Sequence, residues 1–333
     1  MDLVNETPFS AERMVLFDGD GLERLLVVVK ATFSVVTGKP VEAEEQIPVA
    51  TADLHSGDPA RSGLREASDL APFKPATDVL VQGFAYSTPK ERTEVPVGLR
   101  FGALKKGFLV SGDRVWGRLG GASSPEPFSR MEISWERAFG GSDESLGKLD
   151  LFEDNPAGTG FRAKGSRLPV AGTPLPNIEH PQNLIRSPSD RPPAVGFGPI
   201  PPAWRPRACR GGTCDAAWRR DRFPLLPRDF DPAFHQAAPA DQVHPGYVRG
   251  GEPMKVVGMT PEGELAFTVP GMRVEALARI GAVDERVAMA CDTVLLDCER
   301  KLLALTWRGS TVVHGRVPRV RWIRVDARSA DGS

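Results

Sequence analysis

Apolar positions in the first half of the chain recur at the short spacings of β-strands. Residues 14–17 and 22–36 flank Asp18-Gly19-Asp20-Gly21, and this arrangement predicts a hairpin-like unit. Within it Val27, Val29 and Ala31 alternate with Val28, Lys30 and Thr32, and the near-continuous apolar run from Leu25 to Val29 predicts a strand covered on both faces. Residues 79–86, 95–101, 107–110 and 114–117 continue the β-like pattern, with breakers at Pro89, Pro96 and Gly112. In the last third, 254–259 and 265–269 flank a Pro261-Glu262-Gly263 turn, and 287–297 and 302–307 flank a polar C-E-R-K tip. Residues 319–325 set Val320, Trp322 and Ile323 among arginines. Helical periodicity is scarce, so helices are expected only around 135–139 and after Asp231-Pro232, where Asp caps and Pro fits the first turn.

The segment 155–252 has a different texture. Prolines and glycines punctuate it, yet Phe161, Phe197, Trp204, Trp218, Phe223, Phe230 and Phe234 stand between them. A disordered linker lacks a core and avoids such side chains, so an ordered, irregular structure packed on a scaffold is expected. Long loops inside compact domains usually carry function, and proline lowers the entropy of the free loop, which favours a preformed binding surface. The whole predicts a mainly β fold: an antiparallel sheet scaffold, sandwich or barrel-like, with few short helices. A single domain over 1–328 would comprise a β half at 1–154, the loop region at 155–253 and a second β half at 254–328.

The chain has 333 residues and is 41% hydrophobic, ample for a core, while Lys+Arg 42 against Asp+Glu 43 leaves a net charge of -1. Such balance gives no general attraction to nucleic acid or an anionic membrane. Arginines crowd 205–222 and 316–324, a pattern that ordinarily marks solvated faces. No apolar run approaches the roughly 18 residues of a membrane helix. The start M-D-L-V-N-E has no signal-like segment, so a cytoplasmic location is expected. Cys209, Cys214, Cys291 and Cys298 are few, as suits a reducing compartment.

Candidate chemistry is thin. Cys209 and Cys214 are spaced too widely for a usual zinc pair, and Cys291 and Cys298 would face opposite ways on a straight strand; all four are expected as small buried hydrophobes. The Asp18–Gly21 run lacks an EF-hand's later ligands, since its twelfth position is Val29. Gly158-Thr159-Gly160 lacks a third fingerprint glycine and reads as a turn after Asn155-Pro156. No nucleophile elbow occurs. A carboxylate pair for glycoside hydrolysis is open to Glu66, Asp69, Glu136, Glu179, Asp229, Asp241 and Glu252, although each also suits turns and buried Arg pairs. Most tryptophans suit a core; Trp204 and Trp218, set among arginines, suit an interface instead.

Recurring short words run through the chain. They include N-E-T-P-F (5–9), V-V-V-K-A-T-F (27–33), E-A-S-D-L-A-P-F-K-P-A-T-D-V-L-V (66–81), G-D-R-V-W (112–116), W-E-R-A-F-G-G (135–141), N-P-A-G-T-G-F (155–161), L-P-N-I-E (175–179), G-F-G-P-I (196–200), W-R-P-R (204–207), R-D-F-D (228–231), A-P-A-D-Q (238–242) and G-G-E (250–252). In that order they resemble the bacterial domain-of-unknown-function family 2169, which is found beside type VI secretion effectors. Arg65 departs from the family pattern where an aromatic commonly precedes the Glu, and Cys214 where a Tyr precedes Asp215. The resemblance implies a non-enzymatic adaptor or chaperone, without cofactor, that holds an effector for loading onto the secretion spike, with a spike-tip protein as a further client. The expected partner-binding residues are Trp204, Arg205, Arg207, Trp218 and Arg219, with Glu66, Asp69 and Lys74 from the 66–78 segment. Two rival functions remain open from the sequence: a carbohydrate or cell-wall hydrolase with a carboxylate pair, and a structural component of the spike.

Overall fold

Three open sheets contribute side chains to one large core in the computed structural model, which describes residues 1–88 and 90–330. Pro89, one of the expected breakers, lies outside the described residues. The seven-stranded sheet runs in the order Val243–His244, Thr77–Gln82, Ala290–Asp297, Leu302–Val312, Glu23–Ser34, Ser10–Phe17, with Val41–Glu42 also beside Glu23–Ser34. A five-stranded sheet runs Ile178–Glu179, Leu104–Ser111, Glu94–Phe101, Pro253–Val257, Glu264–Thr268. Four strands form the third sheet: Asp2–Asn5, Val320–Ser329, Met272–Ile280, Val283–Val287. The protein is therefore mainly β, and none of these sheets closes into a barrel. Most pairings are antiparallel, but Thr77–Gln82 lies parallel to Ala290–Asp297 and Asp2–Asn5 parallel to Val320–Ser329, which joins the two ends of the chain.

Glu23–Ser34 organises the largest sheet. Its odd positions, Leu25 to Phe33, enter the main core, whereas Leu26 and Val28 enter a second cluster with Val49. Leu25 to Val29 are each 0% exposed, so the strand is covered on both faces as its run predicts. The hairpin at 14–36, the 254–269 hairpin and the C-E-R-K tip also form where expected.

Elsewhere the pattern misleads. The 79–86 stretch splits at Gly83, whose φ of 143° favours glycine and whose Cβ would lie 3.0 Å from that of Cys298. The 114–117 stretch is no strand: it makes isolated bridges from Val115 to Pro174 and Trp116 to Ala122, and loop hydrogen bonds such as Trp116 N–H to the Thr173 carbonyl at 3.0 Å hold it. Pro96 sits within Glu94–Phe101 rather than ending it; pairing with Pro253–Val257 stops at Gly98, so the missing N–H breaks no ladder there. Met272–Ile280 is a long strand with alternating burial.

The segment 155–252 is folded onto the sheets. Phe197 is fully buried, and its carbonyl accepts the Val81 N–H and the Gln242 Nε2 amide at 3.3 and 3.0 Å. The two expected helices occur as short 3-10 turns, Trp135–Arg137 and Pro232–His235, the latter capped by the Asp231 side chain. Two further helices, Arg205–Ala208 and Ala216–Asp221, are a turn or so long. Among the described residues no helix is long and apolar enough to cross a membrane.

Candidate functional site

A row of polar side chains crosses the outer face of the seven-stranded sheet. Ser10, Lys30, Thr306, Thr293 and Asp78 are successive register partners on five neighbouring strands and so share one face. A register shift between Cys291 and Thr293 makes this possible. The bulge leaves Cys291 in the core and lets Asp292 and Thr293 both serve the polar side, where the Thr293 hydroxyl donates to Asp292 at 3.0 Å. It also explains why Cys291 and Cys298 face the same core instead of opposite ways.

The 66–78 segment lies over this row and neutralises it. Lys30 Nζ donates to Glu66 at 2.6 Å and Asp69 at 2.9 Å, and Lys74 Nζ donates to Asp78 at 2.8 Å and Thr293 at 2.9 Å. Arg308 bonds Asp292 at 2.6 Å and grips the Asp69 carbonyl through Nε and Nη2 at 3.1 and 2.7 Å. Lys30, Asp69, Lys74, Asp78, Asp292 and Arg308 are all buried. Burial opposes the charge on Lys30, yet Asp69 and Glu66 together outweigh it and hold the ammonium above its ordinary pKa. For Asp292 burial dominates: its carboxyl sits above the usual range despite Arg308 and Lys74.

Beside the network opens a groove of about 1190 Å³ whose floor includes Asp292 and Arg308. Phe17 and Phe73 stand on its walls at 68% and 50% exposure, facing a third wall that carries Leu225 and Leu226. That third wall is tied to the Asp18–Gly21 turn, because Arg222 Nη2 donates to the Gly19 carbonyl at 2.9 Å and to Asp20 at 3.0 Å. Gly21 is required at this junction: its φ is +81°, and a Cβ would come within 2.8 Å of Leu225. His235 also lines the groove. Burial, followed by Arg207, Arg308 and Lys74, pulls its pKa from 6.5 to about 4, so the imidazole is neutral at neutral pH.

The residues expected to bind a partner divide between two places. Glu66, Asp69 and Lys74 converge in the buried network, where the solvent-shielded ones hold the fold. Trp204 is not an exposed anchor: it is 6% exposed and meets Trp135 edge-on at 6.0 Å within the core. Arg207 is buried too, donating to the carbonyls of Phe234 at 2.9 Å and Ile200 at 2.8 Å. Arg205 is exposed, forked on Asp154 at 2.7 and 2.5 Å, and does not line the groove. Trp218 is half-buried against Phe223, its indole N–H donating to the Leu225 carbonyl at 2.9 Å, and Arg219 is exposed on the same short helix. Lys30, Asp78, Asp292, Arg308 and His235 were absent from the expected set. A lysine inside an apolar strand run signals a buried partner, so Lys30 carried a usable signal.

The other candidate chemistries are placed as well. Cys209 and Cys214 are exposed, against expectation, while Cys291 and Cys298 are buried, and burial raises both of their thiol pKa values. Among the described residues no group of three or more His, Cys, Asp or Glu is arranged to hold a metal ion. Asp18 accepts the N–H groups of Asp20 and Leu22 at 3.1 and 2.9 Å, as a hairpin turn requires.

A family model described as an uncharacterized protein conserved in bacteria (DUF2169) matches residues 20–308. The chain belongs to this family. No curated protein and no solved structure matches it. For this DUF2169 member, the matched span includes the whole polar row except Ser10, and every groove-lining residue except Phe17, Asp18, Gly19, Gly309 and Ser310. Two of the recurring words meet in space: W-E-R-A-F-G-G and N-P-A-G-T-G-F pair in parallel at Phe139 with Thr159 and Gly140 with Gly160.

Proposed function

We propose that this DUF2169 protein is a non-enzymatic, cytoplasmic adaptor that binds and stabilises a type VI secretion effector for loading onto the secretion spike. The observation that carries the binding role is the groove, a large concave surface with two exposed phenylalanines beside a rigid, ion-paired floor. The client's identity rests on the family resemblance. A binder with this task lowers the population of exposed, aggregation-prone client by mass action.

The carboxylates open to a hydrolytic role each have a partner within the chain. Glu136 accepts the Gly63 N–H at 2.8 Å, Glu179 accepts the Ile185 N–H at 2.8 Å and pairs with Arg114, and Glu252 accepts the N–H groups of Arg249 and Gly250 at 3.0 and 2.9 Å. Asp229 binds Thr213 at 2.9 and 2.7 Å, and Asp241 pairs with Lys106 at 2.8 Å.

Co-expression with the effector encoded beside it tests the proposal. The effector's soluble yield rises and the two proteins co-purify, whereas a Phe17→Ala, Phe73→Ala double variant captures it at least tenfold less well, since central interface aromatics typically contribute about 2 kcal/mol or more. Both side chains are exposed, so the variant remains folded. Failure of the wild type to bind any neighbouring effector, together with hydrolysis of cell-wall glycans, overturns the adaptor and installs the hydrolase.

A further inference from the structure

We infer that the groove receives an uncharged, apolar peptide segment of the client. The inference rests on the adaptor reading and specifies which part of a client the site takes. Size comes first: about 1190 Å³ exceeds the roughly 300–1,000 Å³ of ordinary small-molecule sites, so a stretch of polypeptide fits where a metabolite would rattle.

Charge decides the class of segment. Three cations, Arg24, Lys74 and Arg308, and three carboxylates, Asp18, Asp20 and Asp292, line the groove. Every one already has a partner in the protein. Arg24 meets Asp18 at 2.9 Å, Arg222 meets Asp20 at 3.0 Å, Lys74 meets Asp78 at 2.8 Å and Arg308 meets Asp292 at 2.6 Å. The Tyr247 hydroxyl is likewise used, donating to the Lys74 carbonyl at 2.6 Å. A charged side chain entering here would shed water and find no free counter-charge, which is a penalty that an apolar side chain avoids. The complementary occupant of a groove that is neutral overall and internally paired is neutral itself.

The His235 imidazole is left over for the backbone of such a segment. Among the described residues nothing hydrogen-bonds the His235 imidazole, which is packed against Phe230 and Phe234 at 5.4 and 5.6 Å between ring centres. A neutral imidazole offers one donor and one acceptor, which suits a peptide N–H or C=O and demands no charge.

Fluorescence anisotropy of the full chain tests this with three short, end-capped, fluorescein-labelled peptides: a Leu/Val/Ala/Ser sequence, the same sequence with two central Asp, and the same with two central Lys. The neutral peptide binds, both charged versions bind about tenfold or more weakly, and Phe73→Ala and Leu226→Asp each weaken the neutral peptide by a similar factor. Phe73 and Leu226 are 50% and 37% exposed, and a thermal melt verifies that each variant is folded. If Leu226→Asp unfolds, Phe73→Ala decides. Equal binding of a charged peptide, no binding of the neutral one, or binding indifferent to the folded groove variants each overturns the inference. Effector co-purification without neutral-peptide binding sinks the inference alone; neutral-peptide binding without effector co-purification sinks the adaptor reading alone.

Discussion

His235 shows how far a single side chain's chemistry depends on remote segments. Its depressed pKa comes from burial first and then from Arg207, Arg308 and Lys74, which arrive from three separate stretches of chain. The unfolded chain protonates this histidine near its ordinary value of 6.5, whereas the folded protein does so only near 4. Between those pH values the unfolded state binds more protons, so stability falls as the pH is lowered through this window, by up to about 3 kcal/mol. His235→Gln, which cannot titrate, removes that part of the slope. Urea unfolding of wild type and variant at neutral pH and again near pH 4 measures it, and an unchanged difference between the two proteins would show that the imidazole is not shielded. Nothing in the sequence around His235 announces this environment. Lys30 is the contrary case, because a lysine in V-V-V-K-A-T-F must find counter-charge if the strand is covered on both faces.

At the scale of elements, turns were readable and long-range ties were not. N-P-A-G-T-G predicts a glycine turn, and the Gly158 N–H does bond the Asn155 carbonyl at 3.2 Å. What the words conceal is that Asn155 Nδ2 also donates to the carbonyls of Trp135 and Phe139, at 2.8 and 3.1 Å, and so stitches this turn to W-E-R-A-F-G-G. Gly158 must lack a Cβ there, since one would lie 2.7 Å from the Ala138 carbonyl oxygen. Asn155 is 0% exposed, so Asn155→Ala leaves the Phe139 carbonyl without its donor, while the Trp135 carbonyl keeps the Ala138 N–H at 3.2 Å, and lowers stability by about 1–3 kcal/mol. A urea midpoint shifted by less than a third of that would mean that water replaces the amide. Strands such as Glu23–Ser34 follow from their own residues. The short helices Arg205–Ala208 and Ala216–Asp221 escaped notice because neither is long enough to show a period, although Asp215 caps the second through the Trp218 N–H.

Across the whole molecule, the strands were legible but their order was not, because the seven-stranded sheet places Thr77–Gln82 beside Ala290–Asp297 and Leu302–Val312 beside Glu23–Ser34. Pairing over such separations depends on tertiary fit, which no local window contains. The buried ionic network is what locks these distant strands to the 66–78 segment and thereby fixes one wall of the groove. Its energetic sign follows from burial: an intact pair roughly balances its desolvation cost, whereas removing one member strands the other. Lys30→Met therefore leaves Asp69 facing an apolar side chain with its charge unanswered, and it lowers stability by about 3–5 kcal/mol. Adding Asp69→Asn to that variant does not compound the loss, because the buried stranded charge is then gone and the Glu66 charge that remains is partly open to water. In a double-mutant cycle followed by urea unfolding, the double variant is more stable than the sum of the single changes predicts, by at least about 1 kcal/mol. Strict additivity would show that Lys30 and Asp69, though 2.9 Å apart, do not act as a pair, and the network would lose its role in holding the groove wall.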